Sequence, residues 1–172
     1  DTGTLTVGRA GRTSSAPAPD VVVRSTVGDL SLAAAGDIRL LNSGARIYTT
    51  GAAVGAERLP ELSRIGIAPN QTLRSGGATV GPFFDGAGDI LLRAAGSIVG
   101  SPNRQYVTDW WWRQTGVTSA GQPVAWTTRY DLFQQGVASF GGGHIGASAG
   151  ADIIDLELST PASGFQVGAV QR

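Results

Sequence analysis

Apolar and polar residues alternate with a period of two through much of the chain, and three stretches do so in one frame. They read Gly28-Asp-Leu-Ser-Leu-Ala-Ala-Ala-Gly-Asp-Ile38, Gly88-Asp-Ile-Leu-Leu-Arg-Ala-Ala-Gly-Ser-Ile98 and Gly143-His-Ile-Gly-Ala-Ser-Ala-Gly-Ala-Asp-Ile153. The three align without gaps, so Leu30, Ile90 and Ile145 correspond, as do Ile38, Ile98 and Ile153. Alternation puts Leu30 and Leu32 on one side of a strand and Asp29 and Ser31 on the other. Each unit therefore predicts a strand, an Ala/Gly corner and a second strand opening on Asp or Ser plus Ile. A recurring strand-corner-strand unit predicts an all-β solenoid, in which each turn buries its apolar face by stacking on its neighbours.

Further strands are predicted at Leu5–Val7, Val21–Arg24, Ile47–Thr49, Ala78–Val80 and Phe165–Ala169, and Ile154, Leu156 and Leu158 alternate with Asp155 and Glu157 as another. Gly36, Gly96 and Gly150 fall in the corners, where positive φ is cheap for glycine alone. The first two repeats lie 60 residues apart and the second and third 55. One turn of such a solenoid takes about 20 residues, so the intervals hold either several turns or excursions. Two excursions are legible, at about 51–77 with Pro60, Pro69 and Asn70, and at about 101–130 with all four Trp. Both are expected to project from one domain spanning 1–172, since recognition loops commonly stand out from a rigid scaffold. Thr13 to Asp20 reads as an irregular connection, and a short helical turn is predicted near Glu57 to Arg64.

Composition narrows the function classes. Thirteen Arg, with no Lys, balance ten Asp and three Glu, which argues against nucleic acid or an anionic membrane as partner. Cys is absent, excluding disulfides and thiolate metal sites and suiting export of an unfolded chain. Met is absent too, so the chain is expected to be an internal section or a cleaved product. No apolar run reaches the roughly 20 residues of a membrane-spanning helix. A stack of strands has bare edges at its ends, which leads to the expectation of a longer chain or of ends that meet other subunits.

Three segments carry a resemblance: Arg46-Ile-Tyr-Thr-Thr-Gly51, Thr108-Asp-Trp-Trp-Trp-Arg-Gln114 and Leu132-Phe-Gln-Gln-Gly-Val-Ala-Ser-Phe-Gly-Gly-Gly143 with the repeat that follows it to Pro161. Over roughly 28–51 and 85–161 the chain resembles filamentous haemagglutinin-type exoproteins. The resemblance implies a right-handed parallel β-helix (β-solenoid) shaft. It further implies a structural or adhesive segment of a large surface filament, secreted by a Gram-negative bacterium through an outer-membrane two-partner-secretion transporter. Adhesion to surface glycans or other cells, and end-to-end or lateral self-association, belong to the same expectation. The Asn-Pro-Asn motif of that family's secretion domain is missing, so the match is to shaft. The family assigns no catalytic residues to these motifs, and none is transferred.

The side chains that could carry chemistry are few. Trp110, Trp111, Trp112 and Trp126 could stack on sugar rings, which makes a carbohydrate-binding module the alternative function. The competing reading is packing, each ring burying on the order of 150–250 Å² against the shaft. Three consecutive Trp cannot all face one way in a strand, so at least one points away. Asp109 and Arg113 read as a local ion pair or a loop cap. His144, the sole histidine, takes the place of Asp29 and Asp89 in the repeat, a solvent-facing position without metal partners. β-Helices also host polysaccharide-degrading enzymes, in which clustered carboxylates act as acid and base. Asp85, Asp89 and Arg93 are the nearest approach to such a cluster. Asp29, Asp37, Asp89 and Asp152 instead sit at equivalent repeat positions, where turn formation is the simpler role. No cofactor, metal or catalytic residue is therefore assigned, and a non-enzymatic scaffold is expected.

Overall fold

The computed structural model of the chain describes residues 3–8, 21–53, 84–115, 124–162, 164–167 and 170–171, with the side chains of 112–127 and 164–171 outside the description. In chain order come β1 (Leu5–Val7) and β2 (Val21–Ser25), then β3 (Leu30–Ala34), β4 (Ile38–Leu40) and β5 (Ala45–Thr49). A short pair, β6 (Ala52–Ala53) and β7 (Phe84–Asp85), precedes β8 (Ile90–Ala94) and β9 (Ile98–Val99). A 3-10 turn at Val107–Asp109, β10 (Trp111–Thr115) and β11 (Val124–Thr128) lead to β12 (Val137–Ser139). Then follow β13 (Ile145–Ala149), β14 (Ile153–Ile154), β15 (Leu158–Ser159), β16 (Gly164–Val167) and β17 (Val170–Gln171).

The chain is all-β, and its main body consists of three parallel sheets. The first face orders its strands β3-β8-β13, the second β1-β4-β9-β14, and the third β2-β5-β12-β15. Each face thus gains one strand per repeat, in the same cyclic order. Register follows the sequence alignment: Leu30 opposes Ile90, which opposes Ile145. Likewise Leu5 opposes Ile38, Ile38 opposes Ile98, and Ile98 opposes Ile153. The inward residues of the three faces make one cluster, with Ile38, Ile47, Leu92, Ile98 and Val137 fully buried and Leu30, Leu32 and Ile145 packed on its rim. β8 pairs directly with β3, so the 60-residue interval holds one turn plus an excursion, not several turns.

Four details depart from expectation. The corner glycines Gly96 and Gly150 do not take positive φ. A Cβ on Gly96 would strike the Asp37 carboxylate, and one on Gly150 the Ala95 carbonyl, so glycine is needed for close approach of stacked turns. Gly88 and Gly143 serve the same purpose, seating the carbonyls of Gly28 and Gly88. The run from Ile154 to Leu158 is two strands, because Asp155 at φ 49° breaks it. Phe165 lies on β16, which pairs with β11 outside the three faces. The second excursion runs on to Gly136 and is no projecting loop: β10, β11, β16 and β17 form an antiparallel sheet.

The base of the first excursion is a two-strand antiparallel pair, Ala52 opposite Asp85 and Ala53 opposite Phe84. The rest of it, including the turn at Glu57 to Arg64 and the strand at Ala78–Val80, lies outside the described residues, as does the connection through Thr13 to Asp20. Among the described residues no helix is long and apolar enough to cross a membrane.

Candidate functional site

Two features gather the chemically capable side chains. One is the corner leading into the first face. There the repeat places Asp29, Asp89 and His144 in a column, lining a shallow hollow of about 350 Å³ with Leu30, Ile90 and Leu91. Each carboxylate is engaged by the next turn: Asp89 N–H donates to Asp29 Oδ1 at 2.8 Å, and His144 N–H donates to Asp89 Oδ1 at 2.8 Å. A second row runs through the next corner, where Ser97 N–H donates to Asp37 Oδ1 at 2.8 Å and Asp152 N–H to Ser97 Oγ at 3.3 Å. The expected local turns are therefore side-chain ladders between turns, linking residues 60 and 55 positions apart.

These bonds explain the electrostatics. Asp89 is held below the usual carboxylate range chiefly by the His144 backbone N–H, then by the His144 ring, whose Nδ1 lies 3.3 Å away. Asp37 is lowered first by the Ser97 N–H and then by Arg39, which reaches its Oδ2 at 2.7 Å. Asp89 Oδ1 thus faces both the backbone N–H and the ring Nδ1 of His144. Asp85 spends its carboxylate on the Gly86 N–H at 2.9 Å, and no bond links it to Asp89 or Arg93. Among the described residues no group of three or more His, Asp or Glu is placed to hold a metal ion.

The other feature is the second excursion, which lies across the outer side of the third face. β5 is buried on both sides, with Ala45, Ile47 and Thr49 inward and Arg46 and Tyr48 outward under the excursion. Tyr48, Trp110, Phe133, Ala138 and Phe140 form a second apolar cluster there. Its rings meet edge to face: Trp110 with Phe133 at 5.1 Å, Trp110 with Phe140 at 5.7 Å and Phe133 with Phe140 at 5.1 Å. Such pairs add about 0.5–1.5 kcal/mol beyond area burial. Phe84, at the base of the first excursion, joins through Tyr130 at 5.5 Å.

Polar bonds fix the excursion's path. Trp110 donates its indole N–H to Gln135 Oε1 at 2.6 Å, and Gln135 Nε2 donates to the Gln105 carbonyl at 2.6 Å. Gln105 Nε2 donates to the Leu132 carbonyl, while Asn103 Nδ2 reaches Glu157 beyond β14 at 2.8 Å. Arg46 Nη1 donates to the Phe133 carbonyl at 2.7 Å, clamping the return segment onto the third face. Asp131 is lowered chiefly by its hydrogen bond with Arg129, and the charge of Arg46 adds to this. Asp109 caps the 3-10 turn by accepting the Tyr106 N–H at 2.9 Å.

The four Trp therefore part company. Trp110, only 1% exposed, has its ring and N–H consumed by packing, so it offers no face to a sugar. Trp111 is 38% exposed, anchored by its N–H to the Ala162 carbonyl at 3.3 Å, and the adjoining turn exposes Tyr106 at 74%. Trp112 opposes Thr127 and Trp126 opposes Arg113 along the β10–β11 hairpin; their side chains lie outside the described residues. Sequence reasoning gave no role to Arg46, Gln105 or Gln135. The signal was present in Arg46-Ile-Tyr48, where outward positions of a strand are too large and too aromatic for a solvated face. No family model matches the chain, and neither a curated protein nor a solved structure does.

Proposed function

We propose that the chain is a structural, adhesive segment of a large secreted bacterial surface filament, non-enzymatic and built as a right-handed parallel β-helix. The observation that carries this is the cyclic strand order of the three parallel faces, with Leu30, Ile90 and Ile145 in one register. Turns that repeat in this way extend a rod without limit of length, which suits a scaffold holding contacts away from a cell. The right hand is what the resemblance to filamentous haemagglutinin-type exoproteins implies. Absence of cysteine fits passage of an unfolded chain through an outer-membrane transporter, and the resemblance to filamentous haemagglutinin-type exoproteins supports the same route. Antibody raised against this segment is expected to label intact cells of the producing organism, and microscopy of the released protein to show rods. Labelling only after permeabilisation, or compact globules, overturns the reading.

A carbohydrate-binding role is favoured by one observation, the exposure of Trp111 on a well-anchored excursion. Flat aromatic faces of this kind stack on sugar rings. Glycan-array binding that Trp111→Ala removes, with the fold unchanged, supports it; no binding to any glycan removes it.

A further inference from the structure

The sequence holds a single Asp-Gly pair, Asp85-Gly86, and the fold treats it unlike the aspartates of the ladders. Asp29, Asp37 and Asp89 are each followed by Leu or Ile, whose N–H is committed to the next turn. Leu30 donates to the Asp89 carbonyl at 2.8 Å, Ile38 to the Ser97 carbonyl at 2.9 Å and Ile90 to the His144 carbonyl at 2.8 Å. Asp109 and Asp131 are followed by Trp110 and Leu132, whose N–H groups donate to the Val107 and Arg129 carbonyls. Gly86 N–H instead donates to the carboxylate of its own neighbour, Asp85 Oδ1, at 2.9 Å. Both residues are exposed, Gly86 takes φ 66°, and a Cβ placed on it would meet nothing within 4 Å. The nitrogen able to attack the Asp85 carboxyl is thus already turned towards it, and Gly86 puts no side chain in the way.

We infer that Asp85 is a self-modification site, where the main chain converts to the isoaspartyl form through a succinimide ring. The Gly86 nitrogen attacks Cγ of the protonated Asp85 carboxyl. The N–Cγ bond forms, a Cγ–O bond breaks, and the hydroxyl leaves as water with the amide proton. Water then adds to one of the two ring carbonyls and breaks its bond to nitrogen. Addition at Cγ restores Asp85; addition at the former main-chain carbonyl leaves the chain running through Cγ, with a free α-carboxylate. Nothing is oxidised or reduced, and water is the only co-reactant. The product carries an extra backbone atom between two anchored points. Asp85 pairs with Ala52, and its carbonyl lies so near Gly51 that a Cβ there would come within 2.7 Å. Two residues on, Ala87 N–H donates to the Gly141 carbonyl at 3.1 Å. Conversion lengthens the chain between these points and sets a charged carboxylate where a carbonyl rested on Gly51, so the base of the first excursion loosens at Ala87. The inference rests on the geometry of this corner and not on the adhesive reading.

Ageing the folded 172-residue chain in warm neutral buffer tests it. Isoaspartyl groups are counted by methyl transfer from S-adenosylmethionine with an isoaspartyl methyltransferase, and located by electron-transfer fragmentation of peptides. Isoaspartate is expected to build up at Asp85. At Asp29, Asp37 and Asp89 it should lag on the order of tenfold or more, because the following N–H must first leave a backbone hydrogen bond. Asp85→Glu keeps the charge but has to close a larger, less favourable ring, and should abolish the signal at this position. The aged form, separated from fresh chain by chromatography, should exchange the Ala87 N–H faster, with Ile90 and Ile98 unchanged. Isoaspartate that appears at Asp85 only once the chain is unfolded, or that spreads evenly over the aspartates, overturns the inference. Unchanged exchange at Ala87 in the isoaspartyl form overturns the loosening of the corner.

Discussion

The first and third faces are built from similar parallel strands, yet they are held together differently. On the first face the outward residues, Ser31, Ala33, Arg93 and Ser148, are exposed, and cohesion comes from the inner column and from backbone laid on backbone at the corners. On the third face β5 and β12 are buried on both sides, so side chains of the excursion share the work. One face is specified within the repeat itself. The other depends on residues that lie far away in sequence, such as Phe133 against Arg46, 87 positions apart. A repeat can therefore be copied along a stack while one side is given over to a unique covering layer.

Removing the covering layer should have the largest effect. Trp110→Ala deletes the ring at the centre of the second cluster and removes the donor to Gln135 Oε1, and is expected to cost about 3–5 kcal/mol in chemical denaturation. Trp111→Ala, one residue on and partly exposed, should cost under about 1 kcal/mol. A loss for Trp110→Ala as small as that for Trp111→Ala, under about 1 kcal/mol, would mean that the excursion contributes little to the third face. Backbone approach is tested by Gly88→Ala, whose new Cβ meets the Gly28 carbonyl. Overpacking of this kind costs about 1–3 kcal/mol. An unchanged midpoint would show that the corner has room for a side chain.

This contrast also explains what could be read from the residues alone. The inner column was legible because alternation and gapless alignment are local signals, so Leu30, Ile90 and Ile145 fell into register correctly. The excursion's packing was not, because a period-two pattern says which side faces inward and nothing about what covers the outside. Trp110 and Trp111 illustrate the limit: Trp110 ends the 3-10 turn and Trp111 opens β10, and which of the two is buried depends on where Phe133 and Phe140 arrive. The Asp positions were recognised as equivalent, yet their partners were misjudged. A side chain that caps a turn and one that caps the neighbouring turn look alike in sequence, since both need only a short acceptor at a corner. Asp155 gave no signal for its positive φ, which a strand-like run of alternating Ile, Leu and Leu concealed.

The ladders predict a smaller, pH-dependent effect confined to the corners of the first and second faces. Asp37 and Asp89 have lowered pKa values in the folded chain, so the unfolded chain binds more protons in acid. Their contribution is complete above the ordinary carboxylate value of about 3.9 and is lost as pH falls through the lower folded value. Asp37→Asn and Asp89→Asn keep an acceptor for the Ser97 and His144 N–H groups but cannot titrate, so the slope of stability against pH should flatten below about pH 4. His144→Ala separates the causes: the backbone N–H at position 144 remains, and it is the largest influence on Asp89. Most of the acid slope should therefore survive His144→Ala and be reduced in Asp89→Asn. The reverse order would mean that the imidazole, exposed as it is, and not the stacked backbone, holds the carboxylate in its charged form.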